Sequence, residues 1–511
     1  MTYDKHLTSF KAKPVCLPML LCDYYKTSHI DQYPEGTEVI YSTFTPRSNR
    51  YMPYADKVVV FGIQSFVKKY LVDYFDEHFF SRPLEDVVAE YVRYMKHTLF
   101  IEEPKAAHII ELHKLGYMPL QVKALPEGTL APIKVPVLTV ENTRPDLVST
   151  FWITNYLETI MSNEIWLPMT SATVSYQYRK LLIDMAMKTV GHANDVPFQA
   201  HDFSMRGMSS LESAMASGAG HLLSFVGTDT VPAIAYLEHY YNANIEKELV
   251  GTSIPATEHS VMSANTDADS RDEFEMYKRL ITEVYPKGFF SVVSDTYDFW
   301  AVVGEILPRL KKEIMERDGR MVIRPDSGDP VLILTGNPEA KTELERKGLI
   351  EALWDIFGGT ITEKGYKLLD THIGAIYGDS ITLERAKAIV EKLEEKGFAS
   401  TNVVFGVGSY TFQYQTRDSL GFAMKATYAV VNGEERLLFK DPKTDDGTKK
   451  SQRGRVVVTE DDDFGIIGMD GLNKEQANAL KDVDLLQDVF VDGKLMRDES
   501  LSEIRARLQA A

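Results

Sequence analysis

Cysteine is nearly absent from this chain, with only Cys16 and Cys22 among 511 residues. Two thiols cannot build a disulfide framework or a thiolate metal centre, and their scarcity fits a reducing compartment. Long apolar runs are missing as well. The stretch Val15–Cys22 is short, contains Pro18 and ends at Asp23, far below the ~18 apolar residues of a membrane span. Positive charge is in deficit: 56 Lys and Arg against 74 Asp and Glu leave a net charge of −18, which argues against general nucleic-acid binding. Internal repeats and low-complexity tracts are lacking. So is the GxxxxGK[ST] phosphate loop, and Gly406-Val407-Gly408 lacks the third glycine of a dinucleotide fingerprint. The expectation is a soluble cytoplasmic enzyme or binder with no membrane or nucleic-acid partner.

What is present is a recurrence. Asp202, Asp229, Asp295, Asp326 and Asp379 each close a short apolar run: PFQAHD, LLSFVGTD, FFSVVSD, MVIRPD and IGAIYGD. Each run is strand-like, and most lead into a helical pattern. The intervals of 27, 66, 31 and 53 residues match one or two βα units each. In a parallel βα barrel the C-terminal strand ends converge on one rim, where catalytic groups sit. Five carboxylates there point to Mg²⁺ or to a polyhydroxylated, cationic or amide-bearing ligand. Taken singly, any of them can instead simply cap the next helix.

A chain of this length exceeds one ordinary core. Residues 1–145 read as mixed β and helix, with strands at Glu38–Thr45 and Lys57–Gly62, a helix at Gln64–Phe80, and β-rich Pro119–Ala124 and Leu130–Val140. Helices follow at Asp146–Trp166 and Ser175–Thr189, and βα alternation runs from Pro197 to about Gly408. Beyond it, Phe422–Val431 and Glu435–Phe439 form a hairpin around Asn432-Gly433, and Ser500–Ala511 is an amphipathic helix. The expected architecture is α/β: an irregular TIM-like βα barrel over 146–409. A discontinuous mixed α+β domain is assembled from 1–145 and 410–511.

Cations stand out against the acidic background. Arg206 follows Asp202, Arg324 precedes Asp326, and Arg417 lies just past Gly408, while Lys440, Lys443, Lys449, Lys450, Arg453 and Arg455 crowd together. Most of that run reads as a solvated loop. Arginine beside a strand-ending Asp instead fits a site for phosphates with Mg²⁺. Phe405–Ser409 can cradle a phosphate through backbone N–H groups, or be an ordinary strand-to-loop glycine pair. His259, after Glu258, can act as acid, base or phosphoryl acceptor, although a lone His is more often structural. Phe203 and Tyr24-Tyr25 read as core by default and as stacking faces for a flat heteroaromatic ligand otherwise.

Eight segments in order closely resemble the nicotinamide phosphoribosyltransferases: DYYKTSHIDQYP (Asp23–Pro34), HDFSMRG (His201–Gly207), GTDT (Gly227–Thr230), PATEHS (Pro255–Ser260), SVVSDTYD (Ser291–Asp298), IRPDSGDP (Ile323–Pro330), Gly378-Asp379 and FKDP (Phe439–Pro442). These are type II phosphoribosyltransferases, close to the nicotinate phosphoribosyltransferases. The resemblance implies that nicotinamide and 5-phosphoribosyl-1-pyrophosphate give nicotinamide mononucleotide and pyrophosphate in NAD salvage. It implies Mg²⁺, ATP as an optional activator through phosphorylation of His259, and a homodimer with shared sites.

By the same resemblance, the pyridine stacks between Phe203 and Tyr25 of the other subunit. Asp229 accepts from the carboxamide NH₂, and Arg324 reaches the ligand's polar edge. Asp326, Gly378 and Asp379 hold the ribose, and Gly408, Ser409 and Arg417 take the 5′-phosphate. Arg206, Lys425 and Lys440 face pyrophosphate, while Asp295, with Asp326, serves the metal. Ser409 stands where vertebrate relatives have glycine. Two rival readings are nicotinate phosphoribosyl transfer, which Asp229 disfavours by like-charge repulsion, and a catalytically silent nucleotide or sugar-phosphate sensor.

Overall fold

The computed structural model describes residues 16–147, 150–266, 269, 271–378, 381–440, 444 and 451–511; Asp379, Lys443, Lys449 and Lys450 lie outside these. By its contacts the chain divides into one unit of Met1–Thr173, Ala235–Asn244 and Gln415–Ala511, and a second of Val174–Ile234 and Ile245–Tyr414. The sequence reading places its transitions near residues 145 and 410.

The second unit is built on a six-stranded, wholly parallel sheet. Its order is Gly227–Thr228, Ala200–Asp202, Val403–Val407, Ile373–Tyr377, Met321–Arg324, Phe290–Val293. Phe290–Val293 and Ile373–Tyr377 are buried at every position, as strands covered on both faces must be. Their apolar, β-branched runs are therefore continuous rather than alternating. An irregular run touches both sheet edges, Thr252 bridging Gly227 and Ala256 bridging Ser291, each in parallel sense. Helices such as Leu211–His221, Leu349–Phe357 and Leu383–Glu395 lie between strands in sequence.

The first unit is antiparallel. Seven strands run in the order Glu434–Leu437, Phe422–Val431, Thr37–Pro46, Leu138–Asn142, Leu120–Ala124, Gln487–Val491, Lys494–Leu495. Thr37–Pro46 thus pairs with a C-terminal strand on one side and an N-terminal strand on the other. The hairpin turn is Asn432-Gly433, both at positive φ, as a type I′ turn demands.

The β-rich reading of Leu130–Val140 holds, as two short strands, Leu130–Pro132 and Leu138–Asn142. Proline at 132 and 136 interrupts the ladder by withholding N–H donors. The paired helices Asp146–Trp166 and Ser175–Thr189 are instead Ile153–Tyr156 and one 32-residue helix, Glu158–Thr189, that runs through Pro168. The proline is tolerated partly because Gly62 faces it: a Cβ there would meet Pro168 Cγ at 2.5 Å.

Candidate active site

In the second unit the loops that leave the parallel strands carry the predicted residues. Phe203, Asp229, Asp295, Asp326, Gly378 and Gly408 all lie within two residues of a strand's C-terminal end. Asp202 is the exception. It is fully buried, its carboxylate accepts the Ser204 N–H at 2.9 Å, and Thr228 Oγ1 donates to it at 3.4 Å. That aspartate closes the turn after its strand; it does not cap the next helix, Leu211–His221, whose cap is Ser210.

Phe203 is fixed by its N–H, which donates to Val407 O at 2.9 Å, and its ring lies 4.8 Å from the His201 ring. Gly406 makes room for it, since a Cβ would sit 2.6 Å from the Phe203 ring. Beside it, Asp229 is half-exposed, with Oδ1 3.0 Å from His201 Nε2 and accepting from Ser253 Oγ at 2.5 Å. Burial pushes this carboxyl up, but His201, Ser253 and the Arg324 charge outweigh it and hold it below the usual range. The Phe203 ring and an ionised acceptor thus share His201 as a neighbour.

A second cluster gathers His259, Asp295, Arg324, Asp326 and Gly378. His259 opens the helix His259–Ala264, with Nδ1 3.1 Å from Thr296 Oγ1. Its Nε2 lies 3.9 Å from Asp295 Oδ1 and 4.0 Å from Asp326 Oδ2. Asp295 Oδ2 accepts from the Asp326 N–H at 3.0 Å and from Ser327 Oγ at 2.5 Å. Asp295 Oδ1 is buried and accepts no hydrogen bond among the described residues. Arg324 Nε lies 3.4 Å from Asp326 Oδ1, and its other end donates to Thr257 O at 2.7 Å. At Gly378 a Cβ would come within 2.3 Å of Asp326 Oδ1, so only glycine leaves that carboxylate in place.

Gly408 precedes the short helix Ser409–Gln413, and open space surrounds the place of its missing Cβ. The Ser409 side chain packs over Gly207, beside exposed Arg206.

In the first unit Tyr25 and Arg417 line one cavity of about 220 Å³ together with Glu158, Ser162 and Trp166. Lys425 Nζ donates to Glu158 Oε1 at 3.1 Å, and buried Lys26 pairs with the other carboxylate oxygen. Lys440 is exposed, and its backbone N–H donates to Ser451 Oγ at 2.9 Å. His201, Ser253, Thr296, Lys26 and Glu158 escaped the sequence reading as site residues. For Lys26 and His201 the only signal was membership of the quoted motifs.

The profile of the nicotinate phosphoribosyltransferase family matches residues 198–494, which span every parallel strand and the loops just described. The chain belongs to this family. The nicotinamide phosphoribosyltransferase N-terminal domain profile matches residues 18–122. Family members most similar to this chain include the nicotinamide phosphoribosyltransferase of Acinetobacter baylyi, 48% identical over 96% of this chain and 97% of that one. That of Xanthomonas campestris pv. campestris is 33% identical over 96% and 98%. A solved structure from Pyrococcus furiosus described as a nicotinate-nucleotide pyrophosphorylase superposes with a TM-score of 0.56 at 14% identity, covering 98% of this chain and 97% of that one, and so supports the family's fold.

Proposed function

We propose that this enzyme is a nicotinamide phosphoribosyltransferase, joining nicotinamide to 5-phosphoribosyl-1-pyrophosphate to give nicotinamide mononucleotide and pyrophosphate. One observation carries the choice of substrate: an ionised Asp229 and the Phe203 ring both lie against His201. A carboxamide NH₂ donates to it, whereas the carboxylate of nicotinate is repelled. The relatives from Acinetobacter baylyi and Xanthomonas campestris, similar over nearly the whole chain, bear the nicotinamide name.

The pyridine nitrogen has no proton to lose, so no strong base is needed. The site's task is to position that nitrogen and to neutralise departing pyrophosphate as oxocarbenium character develops at the ribose. Phe203 supplies one stacking face, and Tyr25 of a second subunit the other, in a homodimer with shared sites. Arg324 holds the polar edge of the ligand. Asp326, Gly378 and Asp379 orient the ribose; Gly408, Ser409 and Arg417 bind the 5′-phosphate; Arg206, Lys425 and Lys440 take the pyrophosphate.

Asp295 and Asp326 are hard oxygen donors side by side, and the unsatisfied Asp295 Oδ1 suits a bound or water-linked Mg²⁺. Among the described residues no set of three or more acidic, His or Cys side chains forms a metal cage. Mg²⁺ held there would keep waters and substrate phosphates as its other ligands. When bound, Mg²⁺ would neutralise charge on the leaving group. His259 is the phosphoryl acceptor for optional ATP stimulation.

The parallel sheet and the run bridging both its edges form an irregular TIM-like barrel, and the antiparallel unit is the second, discontinuous domain. No described helix is long and apolar enough to cross a membrane; the cytoplasm is the proposed location. The test is a product assay with nicotinamide and nicotinate in parallel, each with and without ATP. Nicotinamide mononucleotide as the main product supports the reading. Preference for nicotinate, or no product from either, rejects it.

A further inference from the structure

Glu158 is the most connected charged group in the first unit's cavity. It opens the helix Glu158–Thr189 and lines the space shared with Tyr25 and Arg417. One carboxylate oxygen accepts from Lys26, whose Nζ also donates to Asn155 Oδ1 at 3.3 Å. The other accepts from Lys425 at 3.1 Å. Lys26 is buried, at 3% exposure, whereas the Lys425 side chain is 37% exposed. Lys425 Nζ also donates to Met424 O at 2.7 Å. Two of its ammonium protons are thereby taken, and among the described residues no hydrogen bond takes the third.

A lone Glu–Lys pair would be neutral and would attract no anion. Two lysines on one carboxylate keep one net positive charge, Lys425 being the more exposed of the two, and the other charged groups lining the cavity, Asp23 and Arg417, offset each other. Burial pushes the Glu158 carboxyl up, but Lys425 and Lys26 more than reverse that and hold it ionised. Flexible lysine otherwise loses rotamer freedom on meeting a phosphate, and an anchor removes that cost beforehand.

We propose that Glu158 is a positioning residue, anchoring the Lys425 ammonium for the pyrophosphate of 5-phosphoribosyl-1-pyrophosphate while buried Lys26 balances its charge. The inference rests on Lys425 facing pyrophosphate, as in the proposed function. It makes Glu158, an anion, necessary for binding a more highly charged anion, the reverse of what simple repulsion predicts.

The test is a double-mutant cycle of Glu158→Gln and Lys425→Met in the full chain. The readouts are KM for 5-phosphoribosyl-1-pyrophosphate, KM for nicotinamide, and calorimetric Kd for inorganic pyrophosphate. Glu158→Gln should raise the first and third about tenfold in the wild-type background, and less than twofold when Lys425 is already Met. KM for nicotinamide should move less than twofold. Equal factors in both backgrounds, or tighter binding by Glu158→Gln, overturn the proposal.

Lys26→Met with Glu158→Gln provides a second arm, because removing both buried partners avoids an uncompensated charge. There Tm should recover from the Glu158→Gln value while the pyrophosphate Kd stays raised. Recovery of both would assign Glu158 a structural role only. If wild type forms no nicotinamide mononucleotide, the functional reading fails, yet the pyrophosphate cycle still decides the role of Glu158.

Discussion

Asp229 Oδ1 is shared by His201 Nε2 at 3.0 Å and Ser253 Oγ at 2.5 Å, which ties the carboxylate to the imidazole whose ring lies 4.8 Å from that of Phe203. Both partners favour its ionised form, and both reduce its freedom to turn away from an unsuitable ligand. Replacing the charge without changing the shape should therefore alter substrate choice. Asp229→Asn is expected to raise the nicotinate-to-nicotinamide ratio of kcat/KM by about 10–100-fold, the equivalent of ~1.4–3 kcal/mol of relieved like-charge repulsion. Parallel steady-state kinetics on both substrates measures it, and an unchanged ratio removes Asp229 from amide recognition.

His259 lies about as far from Asp295 as from Asp326, at 3.9 and 4.0 Å, and half its side chain is exposed. His259→Ala should abolish stimulation by ATP while slow ATP-independent synthesis continues, because displacement by nicotinamide needs no enzyme nucleophile. Rates with and without ATP, together with acid-labile ³²P incorporation, check this. Equal stimulation in the variant excludes a phosphohistidine.

Gly378→Ala would drive a methyl group to 2.3 Å from Asp326 Oδ1. Displacement of that carboxylate should lower kcat/KM for 5-phosphoribosyl-1-pyrophosphate by roughly 10–100-fold, the usual effect of misplacing a positioning group by about an ångström. Tm should fall by only a few degrees. A variant with wild-type kinetics would show that Asp326 need not occupy this place.

A pH effect is expected from Glu127, which is buried at 1% exposure and accepts the N–H groups of Gln64 and Gly62. Burial, aided by the charge of Glu499 and opposed by those N–H bonds, raises its pKa to about 7. In the unfolded chain a glutamate titrates near ~4.3. Between these values the folded state holds a proton that the unfolded state has lost, so stability falls as pH rises from about 4.3 to 7. The loss is at most on the order of 4 kcal/mol and is complete above the folded pKa. Glu127→Gln should flatten the Tm-against-pH curve over that window; an unchanged slope would place the titration elsewhere.

The parallel sheet was legible because strands buried on both faces read as continuous apolar runs, each closed by a polar residue. The same rule could not separate Asp202 from Asp295. Both end an apolar run, but Asp202 turns back to the Ser204 N–H while Asp295 meets its neighbours across two strands. Side-chain direction after a strand end depends on loop geometry, which spacing does not record. The continuity of Glu158–Thr189 through Pro168 was not legible for a related reason: the space at Gly62 that the proline ring fills lies a hundred residues earlier. Glu158 carried no local signal, because its significance comes from Lys26 and Lys425, which are remote in sequence on either side.

The strand Thr37–Pro46 emerges early in synthesis, yet one of its two neighbours, Phe422–Val431, is translated near the end. At ~5–20 residues per second that interval is roughly 20–80 s. Throughout it, the strand's future pairing edge has no native partner and remains open to wrong ones. The parallel sheet waits too, because Val403–Val407, which joins Ala200–Asp202 to Ile373–Tyr377, is made only shortly before Phe422. Ribosome-associated chaperones should therefore hold the N-terminal third of the nascent chain longest, and a stop codon before Phe422 should yield aggregates rather than a shortened enzyme.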